Sequence, residues 1–173
     1  MRLVRAVILA ALLMVAPVLQ AQSDSANTVA NPSQERASEL EKQFLAVIRN
    51  GDALKFLSYV PEDGVHLGHS ADHVTRMEIE DQLTNRKGIY CKLFDSTCLR
   101  ANAEKEAGQP LCSYRDLLTS SDKVRTASTE TTRNNVRQAI LIAEVQNDKC
   151  GGHLLIDFIF NQKKGGWKLF SIP

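Results

Sequence analysis

Hydrophobic positions along the first half of the chain recur at helical spacing. In QERASELEKQFLAVIRN, Leu40, Phe44, Val47 and Ile48 fall on one face and charged residues on the other, which predicts an amphipathic helix. Ser33 is placed to cap it and Gly51 to end it. Asp52 then caps a short second helix in ALKFLSYV. Pro61 and Gly64 break the chain, and GVHLG, with Val65 and Leu67 flanking His66, reads as a short strand. Thr75 and Glu78 have capping-box spacing and open a helix through IEDQLTNRKG, with Ile79 and Leu83 facing inward. IYCKLFD reads as another extended piece, and Ser113 caps a short helix at YRDLL.

From Asp122 onward the period changes. KVRTASTET alternates, and NVRQAILIAEV has the length and content of a strand. After the turn NDKCGG, HLLIDFIF places Leu154, Ile156, Phe158 and Phe160 on one side. NQKKGG is a further turn and WKLFSI a last strand. Helices first and a C-terminal β-meander afterwards define an α+β class, with the N-terminal helices packed across a curved antiparallel sheet.

FLAVIRNGDALKFLSYV, the break at DGV and the final GGWKLFSI resemble the NTF2-like (SnoaL-like) superfamily. The resemblance implies a cone-like α+β domain with a pocket at its open end. It covers both ends of the mature chain and not the stretch from about Tyr90 to Asp122. That superfamily includes isomerases, dehydratases and non-catalytic binding domains, so it transfers no residue role.

The chain opens with MRLVRAVILAALLMVAPVLQAQS. Arg2 and Arg5 precede an apolar run from Ala6 to Ala16, and Leu19 and Ala21 suit cleavage before Gln22. Residues 1–21 are therefore read as a signal peptide, residues 22–33 as a flexible leader, and residues 34–173 as one domain. The expected location is periplasmic or secreted, and the mature chain is expected to be soluble. The formal net charge of +1, without a basic cluster, leaves no electrostatic footprint for nucleic acid.

An exported chain with four cysteines implies disulfides. Cys98–Cys112, closing the polar insertion LRANAEKEAGQPL, has the best loop argument and leaves Cys91 and Cys150 either paired or free. The rival Cys91–Cys98 would staple the turn at Phe94–Thr97. No close-set pair of the zinc type is present.

GVHLGHSADH packs His66, His69 and His73 into eight residues. Metal binding is one reading; a polar loop is the plainer one, because Gly64 and Gly68 interrupt any helix that would align the rings. Asp157 is the only charge inside HLLIDFIF, on the side opposite the phenylalanines. It is the candidate base if the protein is an enzyme; otherwise it marks a contact patch with Leu155 and Ile159. Trp167, Tyr59 and Tyr90 are candidates to line a pocket. No nucleophile elbow, phosphate loop or cofactor motif is present. A binding domain for a small molecule or an envelope protein is thus preferred. The alternative is an isomerase- or hydrolase-type enzyme using Asp157, and homodimerisation through the sheet is a further expectation.

Overall fold

A computed structural model describes residues 32–68, 72–103 and 112–173. Residues 1–31, on which the signal-peptide reading and most of the leader reading fall, lie outside the described residues, as do His69 and most of the polar insertion. Helix α1 (Pro32–Asn50) buries Leu40, Phe44, Val47 and Ile48, the positions expected from their spacing. Its first described residue is Pro32, whose fixed φ suits a first helical turn, so Ser33, expected just ahead of the helix, falls within it. Gly51, at φ +69°, turns the chain out of α1. Asp52 accepts the Lys55 N–H at 2.9 Å and starts α2 (Ala53–Tyr59).

Strand β1 (Val65–Leu67) pairs antiparallel with β2 (His73–Val74). Gly64 precedes β1 at φ +90°, where an added Cβ would come 2.2 Å from the Val74 carbonyl oxygen, so only glycine fits. Helix α3 (Arg76–Thr84) opens with the full capping box: Thr75 Oγ1 accepts the Glu78 N–H, and Glu78 accepts the Thr75 N–H at 2.8 Å. Ile79 and Leu83 point inward as expected.

The extended reading of IYCKLFD is corrected. Ile89–Phe94 is a helix, α4, burying Ile89, Cys91, Leu93 and Phe94. A short run apolar at almost every position carries no period, so composition alone could not separate strand from buried helix. Helix α5 (Ser96–Ala103) follows after one residue, Asp95, whose carboxylate accepts the N–H groups of Thr97 and Cys98. Helix α6 (Tyr114–Ser120) is capped by Ser113, which also receives the buried Ser96 hydroxyl at 3.3 Å. Ser96 in turn bonds Asp116.

Four long strands form the meander: β3 (Lys123–Arg133), β4 (Val136–Asn147), β5 (Gly152–Lys163) and β6 (Gly166–Ile172). Asn134 and Asn135, at φ +51° and +62°, make the two-residue turn between β3 and β4. The sheet order is β2-β1-β6-β5-β4-β3. The antiparallel expectation holds for the meander but not for the whole sheet: β1 runs parallel to β6, with His66 opposite Ser171 and Leu67 opposite Ile172. The sheet is therefore mixed, curved and open.

The helices cover one face. Ala139, Leu141, Ala143 and Val145 of β4 and Ile156, Phe158 and Phe160 of β5 are buried there against α1 and α6. Phe44 sits at the centre, with ring centroids 4.9 Å from both Phe158 and Phe160, 5.2 Å from Tyr59 and 5.9 Å from Phe56. No described helix is long and apolar enough to cross a membrane.

The disulfide expectation is also corrected. The bonds are Cys91–Cys98 and Cys112–Cys150, not Cys98–Cys112 and Cys91–Cys150. The break at Asp95 folds α5 back on α4 and brings the Cys91 and Cys98 Cα atoms to 5.2 Å. Cys112, at the foot of α6, meets Cys150 in the 3-10 turn between β4 and β5, with Cα atoms 5.5 Å apart. The rival Cys91–Cys98 is thus the bond that forms: closing the insertion loop had the entropy argument, but position in the fold decided the pairing.

Candidate functional site

Alternation along the strands leaves the sheet with a second, outward face. On β5 this face carries Leu155, Asp157 and Ile159; on β4, directly opposite them in register, it carries Glu144, Ile142 and Ile140. Leu155 is 64% exposed, and Asp157, Ile140, Ile142 and Ile159 are half-buried. A β-bulge between Ile159 and Phe160 inserts Phe170 as the extra residue of β6 and leaves it 37% exposed. The Phe170 ring lies 4.9 Å from His66, which is 5.1 Å from His73 across the β1–β2 pair.

One cross-strand row thus runs Thr129, Ile140, Ile159, Ser171, His66, His73 over all six strands. The register sets histidines of GVHLGHSADH and the lone carboxylate of HLLIDFIF on one surface. That connection is invisible in sequence, because it passes through the parallel β1–β6 pair. The polar margin has its own pairs. His153 Nε2 lies 2.7 Å from Glu144, whose carboxyl that hydrogen bond holds below the ordinary carboxylate range. Gln138 donates to Asn161 at 2.9 Å.

Among the described residues no three His, Cys, Asp or Glu side chains converge as metal ligands, and His69 lies outside them. His66 and His73 are a cross-strand pair whose rings meet edge-on. Asp157 lines none of the described clefts; its negative charge, second to burial, raises the pKa of Tyr114. Tyr114 is buried beside Phe158 and donates its hydroxyl to the Pro173 carbonyl at 2.8 Å.

The three aromatic candidates go to different places. Tyr59 belongs to the cluster around Phe44, and burial raises its pKa. Trp167 packs half-buried against the core, with the Arg137 guanidinium 5.9 Å from its ring. Arg137 is paired with Glu130, whose side chain is almost fully buried. Of the three, Tyr90 lines a described cleft, a space of about 320 Å³ between α2, α3 and α4. Leu54, Leu57 and Leu83 supply its apolar wall and Glu80 and Arg86 its rim, Arg86 lying 5.7 Å over the Tyr90 ring. Sequence reasoning missed Leu54 and Arg86 here, and Phe170 on the sheet. The alternation of β4 contained the signal for Ile140 and Ile142.

Comparison with known proteins finds no matching family model and no matching curated protein. Two solved structures are similar, one titled "Rd1NTF2_05 with long sheet" and the other a substituted form of Rd1NTF2_05. Each is 11% identical and covers 80% of this chain and 95% of its own, with TM-scores of 0.43 and 0.44 respectively. The likeness carries no functional argument.

Proposed function

We propose that the chain is an exported binding domain whose contact surface is the outward face of its sheet. The observation that carries this reading is the division of apolar residues between the two faces. The helical side is filled by Phe44 and its four ring neighbours. The other side leaves Ile140, Ile142, Leu155, Ile159 and Phe170 open to a greater or lesser degree. A contiguous apolar surface rimmed by polar residues is the usual mark of a protein contact. Two disulfides suit an oxidising compartment outside the cytoplasm. The enzyme reading, with Asp157 as base, lacks a described cleft in which to hold a substrate.

The test is site-specific photocrosslinking in the compartment to which the chain is exported. A photoreactive residue at Leu155 should give a protein adduct, and one at Lys42, on the exposed side of α1, should not. Equal yields at the two positions would refute the reading.

The Tyr90 cleft supports a second reading, a small amphipathic ligand. Its volume is at the lower end of ligand sites, and Arg86 would meet an anionic head while the leucines take an apolar body. Isothermal titration with a medium-chain fatty acid, repeated on Arg86→Gln, tests it; identical heats in both proteins would reject it.

A further inference from the structure

We infer that His66 and His73 form a two-ligand chelate for a divalent transition metal, copper(II) before the others. The inference does not rest on the reading of the sheet face as a protein contact; it assigns a separate site at the β2 edge of the sheet.

Strand pairing does here what a helix would have done for GVHLGHSADH. Strands β1 and β2 run antiparallel with His66 directly opposite His73, so both side chains leave the sheet on the same face. The next pair along is joined by a hydrogen bond, the Leu67 N–H donating to the Asp72 carbonyl at 3.0 Å. Bonded and non-bonded pairs alternate along an antiparallel ladder. His66 and His73 are therefore a non-bonded pair, the kind whose Cα atoms approach to about 4.5 Å and whose side chains lie closest.

The separation of the rings is that of a chelate. A metal–nitrogen bond of about 2.0–2.1 Å puts the ion about 3.2 Å from the centroid of each imidazole it binds. Two rings set about 90–110° apart around one ion then have centroids about 4.5–5.2 Å from each other. Those of His66 and His73 are 5.1 Å apart, with planes inclined at 73°. The second torsion of a histidine is broad, so the exposed His73 ring can aim a nitrogen at the ion without movement of the backbone. His66 is half-buried, and the Phe170 ring 4.9 Å away limits its swing.

The carboxyls of Asp63 and Glu78 both respond to charge on His73. Each is already held, Asp63 by Lys163 and Glu78 by Thr75, so neither serves as a ligand. Lys163 offsets Asp63, but Thr75 is neutral, and Glu78 keeps its negative charge on the side of the site that favours a cation. The two imidazoles leave the remaining coordination positions to water. Such an open site imposes no geometry of its own, so affinity follows the general order for divalent metals, which copper(II) heads.

The experiment is titration of the disulfide-bonded chain with copper(II) chloride at pH about 7.5, where an ordinary imidazole is neutral. Electron spin-echo envelope modulation counts the imidazoles on the bound ion. We expect one copper per chain carrying two imidazoles. His66→Gln and His73→Gln should each remove one of them and weaken binding by at least the 10–100-fold, roughly, that loss of an outer-shell partner costs. His73 is exposed, so its variant tests the site even if His66→Gln disturbs β1. His153→Gln removes another surface imidazole, the one beside Glu144, and should change neither count nor affinity; His69→Gln should keep both imidazoles. A single imidazole in the parent chain overturns the inference. So does a two-imidazole signal that survives either His66→Gln or His73→Gln. Equal weakening by His153→Gln would mean adventitious copper on surface histidines only, and would overturn it as well.

Discussion

Replacing Phe44 by Ala asks whether the cone is plugged or merely crowded. The side chain is fully buried and touches four other rings, two from α2 and two from β5. A buried Phe→Ala change costs about 3–5 kcal/mol, because transfer free energy is lost and a cavity remains. Ring pairs add about 0.5–1.5 kcal/mol each beyond area, and Phe44 stands in four of them, so the upper end, about 4–5 kcal/mol, is expected. Urea unfolding of the disulfide-bonded chain measures this. With a slope of about 2 kcal/mol per molar, the middle of the usual range, the midpoint should fall by about 2–2.5 M. Phe44→Leu, which keeps most of the volume but loses the ring pairs, should cost less than the Ala variant, about 2–3 kcal/mol. The Ala variant should also bind a small apolar molecule such as benzene, as dry engineered cavities do, while the parent chain does not. A loss below about 1.5 kcal/mol would refute the reasoning. So would benzene binding of equal strength in the parent, since the interior would then already be a pocket.

Thr75→Ala should cost about 1 kcal/mol by urea unfolding at neutral pH. Hydrogen bonds from Thr75 hold the Glu78 carboxyl below its ordinary range. Its contribution is thus present above the unfolded pKa and lost as pH falls through the folded value, and the variant should lose that acid dependence. Burial, then the charge of Asp157, raises the Tyr114 pKa. Stability should therefore fall as pH climbs past about 10, where the unfolded tyrosine ionises and the folded one does not. Tyr114→Phe should flatten that slope in an alkaline unfolding series. His66→Gln and His73→Gln together should change stability by no more than about 0.5 kcal/mol each. A larger drop in Tm would show that the tilted His66–Phe170 ring contact bears weight.

Local signals were legible where one residue type does one physical job. Asp52, Thr75 and Ser113 each cap the helix expected of them, because a side-chain oxygen before an apolar run satisfies free N–H groups. The alternation in HLLIDFIF placed Ile156, Phe158 and Phe160 inward and Asp157 outward, since a strand leaves only two faces. Readings that depended on distant partners were not legible. Two residues of parallel pairing between β1 and β6 decide that His66 shares a face with Ile159, and nothing near His66 announces it. Cys98 pairs with Cys91 because Asp95 breaks a helix that the apolar run IYCKLF did not reveal.

The two disulfides follow one another along the chain and do not interlock. Cys91–Cys98 is closed before Cys112 begins the second loop, and all four cysteines are used. Between Cys98 and Cys112 only the peptide backbone joins the two parts of the molecule. One cut there yields two fragments that no sulfur bridge connects. Their association would rest on Phe44 against Phe158 and Phe160, β1 beside β6, and Ser96 with Ser113. The nicked protein should run as one species in native buffer and as two in denaturant without any reductant. Separation that needed reductant would contradict the pairing. The same order means that a chain threaded N-terminus first into an oxidising compartment can join each cysteine to the next to arrive, with no exchange of partners.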